Sequence, residues 1–289
     1  MKIIKFLKRK IFTFCRIFYY NFFISDQRKK KFQLDIKNFK KKLKDKKNFA
    51  FLRFSDGELF VIQNKKLIIS DNYWQLDKKK TYAKFSKDEK KAFIPSKHQF
   101  YRNKLINSLN FKADNYYKGI ACICCNGSKN VKLMKEIAKN DKNVTFSNLF
   151  QNGNYNYFVK NFFEIFKKRQ IIVIANKSAG IKDLPFKVKK KFSIGENCFI
   201  NDYDLIKKLK IYIKKNSISN HIFLISAASL SNVIIYELYK DFKNNTYLDI
   251  GSTLNFFYNK KQSTQSRSYL SEYWGDKNDI EYINRYCYW

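Results

Sequence analysis

The feature that most constrains this chain is a series of short, unbroken apolar runs separated by longer stretches of helical periodicity. The runs are Phe49–Phe54, Ile120–Cys125, Ile171–Asn176, Ile222–Ser226 and Tyr247–Ile250, with Val144–Ser147 shorter and weaker. Between them lie helical patterns over 36–47, 129–139, 155–168, 202–215 and 229–243. A strand that is apolar at nearly every position has both faces buried. Such strands alternating with helices build a parallel sheet covered on both sides. The expected class is α/β, a Rossmann-like layer sandwich with a mainly parallel sheet. Residues 75–104, rich in lysine, read as a solvated helical insertion.

Apolar residues make up 45% of the 289, enough for a sizeable core and too many for wholesale disorder. No apolar stretch reaches the length a spanning helix needs, so a conventional transmembrane helix is not expected. The 59 Lys+Arg against 24 Asp+Glu leave a formal charge of +35, a field that attracts polyanions. The lysines are spread along the chain rather than gathered into one stripe, which argues against nucleic acid as the partner. With no secretory signal pattern, the six cysteines are expected to be reduced thiols in a cytosolic setting. Cys122 and Cys124 read as core residues of a strand, and the cysteine spacing does not suit zinc.

The N-terminus has a separate pattern. Ile4, Leu7, Ile11, Phe14, Phe18 and Phe22 share one helical face, opposite Lys2, Lys5, Arg9 and Arg16. A basic amphipathic helix of this kind can lie in the interface of an anionic membrane. The chain therefore divides into a basic amphipathic segment (1–31), an α/β domain (32–262) and an aromatic capping segment (263–289).

In open parallel sheets ligands bind beyond the carboxyl ends of the strands. After the first strand comes Arg53-Phe-Ser-Asp-Gly-Glu58. On an extended backbone Asp56 and Glu58 would project to one side, with Gly57 permitting close approach. Oxygen ligands of this type suit Mg²⁺ or Mn²⁺. Arg53 could pair with them or with a phosphate. The amide-rich run Asn148–Tyr155, with Asn152 and Asn154, suits a hydroxyl-rich ligand. Ser226-Ala-Ala-Ser229 opens a helix, where free N–H groups and the helix dipole favour phosphate. Asp249, inside an apolar strand, must find a partner in backbone, another side chain or a ribose hydroxyl. Gly251 permits a tight turn.

Arg53–Glu58, Asn148–Tyr155, Ser226–Ser229 and Tyr247–Gly251 together resemble, in content and order, the GT-D-type glycosyltransferases over roughly residues 45 to 260. Ser55 and Ser252 depart from that pattern, standing where members often carry Gly and His. The resemblance implies a Rossmann-like sheet with Asp56 and Glu58 as the metal and diphosphate site and Arg53 in support. It implies a Mn²⁺- or Mg²⁺-dependent, hexosyltransferase-like enzyme using a nucleotide-sugar donor. Gly57, Asn152, Asn154, Ser226, Ser229, Asp249 and Gly251 are the further donor-binding candidates; no catalytic base is assigned. The acceptor would be a glycan or lipid-linked glycan in surface polysaccharide or glycoprotein glycan synthesis. The setting would be cytoplasmic, peripheral at the inner membrane face, without nucleic acid. The competing expectation is a basic, non-enzymatic membrane- or nucleic-acid-binding protein.

Overall fold

The computed structural model describes residues 25–70, 73–75, 90–258 and 268–274, together with Ile11. The amphipathic helix expected over 1–24 lies outside these residues except for Ile11. So does most of the aromatic tail. Among the described residues no helix is long and apolar enough to cross a membrane.

In chain order the strands are β1 (Ala50–Phe54), β2 (Leu67–Ser70), β3 (Tyr73–Gln75), β4 (Lys91–Phe93) and β5 (Tyr116–Ile120). They continue as β6 (Val144–Phe146), β7 (Ile171–Asn176), β8 (Val188–Ile194), β9 (Ile222–Ile225) and β10 (Thr246–Asp249). The longer helices are α1 (Ser25–Lys44), α2 (Asp56–Ile62), α3 (Gln99–Asn110), α4 (Ser128–Ile137), α5 (Tyr155–Lys167), α6 (Leu205–Lys215), α7 (Ser229–Asp241) and α8 (Ser268–Trp274). Seven strands form one sheet in the order β6-β5-β1-β10-β9-β7-β8, and every pairing in it is parallel. The fold is α/β, with the expected parallel sheet.

The continuous apolar runs follow from cover on both faces. Ala50, Leu52 and Phe54 of β1 enter one core with Ile172, Ile174, Phe223 and Ile225. Phe49 and Phe51 enter the other with Val173, Leu224 and Leu248. Successive side chains on a strand point to opposite faces, so each strand supplies both cores.

Three local expectations are corrected. The strand expected over Ile120–Cys125 is instead β5, which ends at Ile120; Ile123–Asn126 is a single helical turn. Lys118 disguised the strand. It is fully buried, its ammonium 2.7 Å from Asp141 and donating to the Phe111 carbonyl at 2.8 Å. Such a buried charge is tolerated because it is paired and hydrogen-bonded. Within 75–104 the structure has the strand β4 and the start of α3, rather than helix throughout. Strand β4 pairs with β2, which also pairs with β3, and the three form an antiparallel sheet of their own. Cys122 is buried as expected but disulfide-bonded, not a reduced thiol; Cys198 is a free, buried cysteine. The edge strand β8 was missed because three consecutive lysines, Lys189–Lys191, break its apolar pattern, and exposed lysines such as Lys189 and Lys190 also discourage edge-to-edge pairing.

Candidate active site

The strand order reverses between β1 and β10. From β1 the chain runs outward through β5 and β6, then returns from the far edge to lay β10 beside β1. This is the switch point at which open α/β sheets carry ligands. The registered β1–β10 pairs are Ala50–Tyr247 and Phe51–Leu248. Beyond them Asn232 of α7, fully buried, fills the split. Its amide donates to the Arg53 carbonyl at 3.0 Å and accepts the Arg53 N–H at 3.4 Å. A cavity of about 520 Å³ opens at these carboxyl ends.

Arg53 lies at its floor, its side chain only 11% exposed. Nε donates to the Ser147 carbonyl at 2.6 Å, Nη2 donates to Gln151 Oε1, and Nη1 is 3.9 Å from Asp249. The charge is thus held in one place by strands on both sides of the switch. Gly251 makes that placement possible. It has φ +52°, and a Cβ there would stand 1.9 Å from Arg53 Nη1.

Asp56 and Glu58 are not on extended backbone; they occupy the first turn of α2. Ser55 caps this helix, and Glu58 Oε2 accepts the Ser55 N–H at 3.0 Å, closing a capping box. Two carboxylates in the first turn also complement the helix dipole. The other oxygen of Glu58 accepts the Ser229 hydroxyl at 2.7 Å, which ties the start of α2 to the start of α7. Asp56 Oδ1 accepts the Gly57 N–H. Asp56, Gly57, Glu58, Ser226, Ser229, Asp249 and Gly251 all line the cavity with Arg53.

The GT-D fold-like domain matches residues 35–257 of the chain. The chain belongs to the GT-D-like family. Membership supports glycosyltransferase as the class of enzyme. Among solved structures, two chains of domain of unknown function 1792 are similar to it at TM-score 0.47. One is a selenomethionine-substituted form, 12% identical, and the other is 14% identical and described as having a distinct glycosyltransferase fold. Each match covers 77% of this chain and 79% of the other. No curated protein matches it.

In this GT-D-like chain the amide run divides. Asn152 lines the cavity, whereas Asn154 is buried behind it and donates to the Asn148 carbonyl at 3.0 Å. Asn154 holds the loop through that bond and is not among the residues that line the cavity. Gln151, Asn148, Ser147 and Asn232 were passed over as individual site residues. Gln151 and Asn148 sit inside the amide-rich stretch, so that stretch was a usable signal. Asn232 had none, since one amide in an apolar helix reads as incidental. Lys90, Lys91 and Phe93 bring β4 to the cavity rim, and Lys90 pairs with Glu196 at 3.0 Å.

Asp249 is 5% exposed. Burial pushes its carboxyl up to about 7, with the nearby Glu58 charge adding to the rise; Arg53 and the Gly251 N–H oppose it. A raised folded-state value means the native protein holds the proton more tightly than the unfolded chain. This contribution to stability is complete below the ordinary carboxylate value and is lost as pH rises through about 7. Asp249→Asn removes that loss. Its stability relative to wild type should rise between about pH 4 and about 7 and level off above. Urea unfolding of both proteins across that range checks this; a constant difference would show that Asp249 does not titrate there.

Proposed function

We propose that the chain transfers a sugar from a nucleoside diphosphate sugar to a glycan acceptor, with Mn²⁺ or Mg²⁺ held by Asp56 and Glu58. The observation that carries this reading is the meeting of Arg53, Asp56, Glu58, Ser229 and Asp249 around one cavity at the sheet's switch point. Among the described residues no three His, Cys, Asp or Glu side chains group as a metal cage. Two carboxylates are what Mg²⁺ or Mn²⁺ sites of this type need, because substrate phosphates share the coordination. The hydrogen bonds to Glu58 fix its orientation and leave its oxygens further lone pairs.

The ion, when bound, would neutralise charge on the departing diphosphate. Arg53 adds a fixed positive charge at the cavity floor that needs no reorganisation as negative charge develops. The thirteen-residue helix α7 begins at Ser229, and its N-terminal dipole favours phosphate on the same side. Asn152 and the neighbouring amides offer donors and acceptors for sugar hydroxyls. A thermal-shift series with nucleotide sugars, with and without Mn²⁺, tests the reading, since a ligand that binds only the native state raises apparent stability. A metal-dependent rise supports it; no rise with any nucleotide sugar at saturating concentration counts against it.

The setting proposed is the cytoplasmic face of an anionic membrane, with lipid-linked glycan as acceptor in surface polysaccharide or glycoprotein glycan synthesis. Its support is the cationic face opposite Ile4, Leu7, Ile11, Phe14, Phe18 and Phe22. Deletion of residues 1–31 should abolish flotation with anionic liposomes. Unchanged flotation would remove the tether from the account.

A further inference from the structure

The matched GT-D fold-like domain ends at residue 257, yet α8, beyond it, reaches the cavity. Tyr269 of α8 is 3% exposed and lines the cavity. Its hydroxyl lies 2.9 Å from Ser252 Oγ. Ser252 Oγ accepts from Gln151 Nε2 at 3.2 Å, and the other end of that amide accepts from Arg53. A chain of hydrogen bonds therefore runs from a helix outside the family domain to the guanidinium at the cavity floor.

The helix is held in register for this contact. Trp274 stacks on Phe256 with ring centroids 4.5 Å apart and 9° between planes. Its indole N–H donates to the Tyr155 hydroxyl at 3.0 Å, which in turn donates to the Thr253 carbonyl at 2.8 Å. The Tyr155 ring meets Tyr269 edge-on at 5.1 Å. Turn 251–254 is thus bonded at Thr253 by Tyr155 and at Ser252 by Tyr269. Gln151 Nε2 donates to Ser252 Oγ at 3.2 Å and, more weakly, to the Ile250 carbonyl at 3.5 Å, so Ser252 is the nearer of the two acceptors that set which way the amide faces. An amide offers an acceptor at only one end, so its orientation decides whether Arg53 finds one.

We propose that Tyr269 is a positioning residue for Arg53, acting through Ser252 and Gln151, so that α8 forms part of the donor site. What the site binds rests on the nucleotide-sugar reading above; the positioning does not.

Two measurements on the whole 289-residue chain separate these. Phenylglyoxal modification of Arg53, followed by peptide mass spectrometry, reports how firmly the guanidinium is held without any donor present. Tyr269→Phe keeps the ring and removes only the hydroxyl, so the fold is expected to survive. It should raise the Arg53 modification rate several-fold. Ser252→Ala should do the same, Ser252→Thr should not, and the double variant should be no faster than either single one because both act on one path. Calorimetry with UDP and Mn²⁺ should show binding to Tyr269→Phe weakened roughly three- to tenfold, the size of one lost hydrogen bond. An unchanged Arg53 modification rate in Tyr269→Phe overturns the proposal. Faster modification in both single variants, with wild type binding none of UDP, GDP, ADP, CDP or TDP in the presence of Mn²⁺, supports the positioning and overturns the nucleotide-donor reading instead.

Discussion

Asp56→Asn is expected to lower sugar transfer by roughly 10²-fold or more, with metal-dependent donor binding lost and the fold intact. The substitution keeps shape and removes one negative charge, the one proposed to bind the ion, from the first turn of α2. Asp56 is only half-buried, and the capping box of that helix belongs to Ser55 and Glu58, so little stability should be lost. Glu58→Gln makes a useful contrast. Its carbonyl can still accept the Ser55 N–H or the Ser229 hydroxyl, but Glu58 is buried and both its oxygens are engaged. Glu58→Gln should therefore cost stability as well as activity, on the order of 1 kcal/mol for a weakened charged hydrogen bond. Calorimetry with a nucleotide sugar and Mn²⁺, beside thermal unfolding of each variant, distinguishes the cases. If the two carboxylates merely cap a helix, Asp56→Asn will bind donor with wild-type affinity and unchanged metal dependence. That result would mean the site has been misread.

Most of the sheet was legible because the constraint on it is strong. A strand covered on both faces has almost no freedom in composition, so β1, β7, β9 and β10 appear as apolar runs and their place in the sheet follows. What was lost were strands with a polar reason to exist. Lys118 is buried in β5 only because Asp141 and the Phe111 carbonyl lie within reach, and nothing local announces either partner. Likewise β8 carries lysines because an edge strand gains by repelling other edges. At the site, the positions of Arg53 and Asp249 were legible from the ends of strands. The local geometry of Asp56 and Glu58 was read as extended although Ser55-Asp-Gly-Glu58 has the capping-box spacing. The two readings share residues, and the structure shows that the helix start prevails. Asn232 stayed hidden for another reason: its hydrogen bond to Arg53 spans 179 residues and leaves no periodic trace in the chain. Tyr269 was legible only as one aromatic of the capping segment, because nothing local announces its hydrogen bond to Ser252.

Gly251→Ala should be the more severe structural change, because one atom added there strikes the cavity floor. Two costs add. Alanine at φ +52° is strained by roughly 1–2 kcal/mol. The new Cβ would also stand 1.9 Å from Arg53 Nη1 and 2.8 Å from Gln151 Nε2, far inside contact distance. An arginine tip in solvent would swing aside at little cost. This one is bonded to the Ser147 carbonyl and Gln151, and it faces Asp249. Displacing it breaks those bonds and leaves a buried carboxylate without its cation, so the total loss should reach roughly 3–5 kcal/mol. Donor binding should fall with it. The direction of the pH effect identifies the cause. Without Arg53, the Asp249 charge is costlier, so the penalty of Gly251→Ala should be larger at about pH 8 than at about pH 5, where the carboxyl is protonated. Adding Asp249→Asn to Gly251→Ala should recover part of the loss at the higher pH and little at the lower. Urea unfolding of the four proteins at both pH values measures this as a double-mutant cycle. If Gly251→Ala unfolds at the wild-type midpoint, Arg53 is not held where the hydrogen bonds place it. A penalty independent of both pH and Asp249 would put the whole cost in backbone strain, and Gly251 would then be a turn glycine with no part in presenting Arg53 to the cavity.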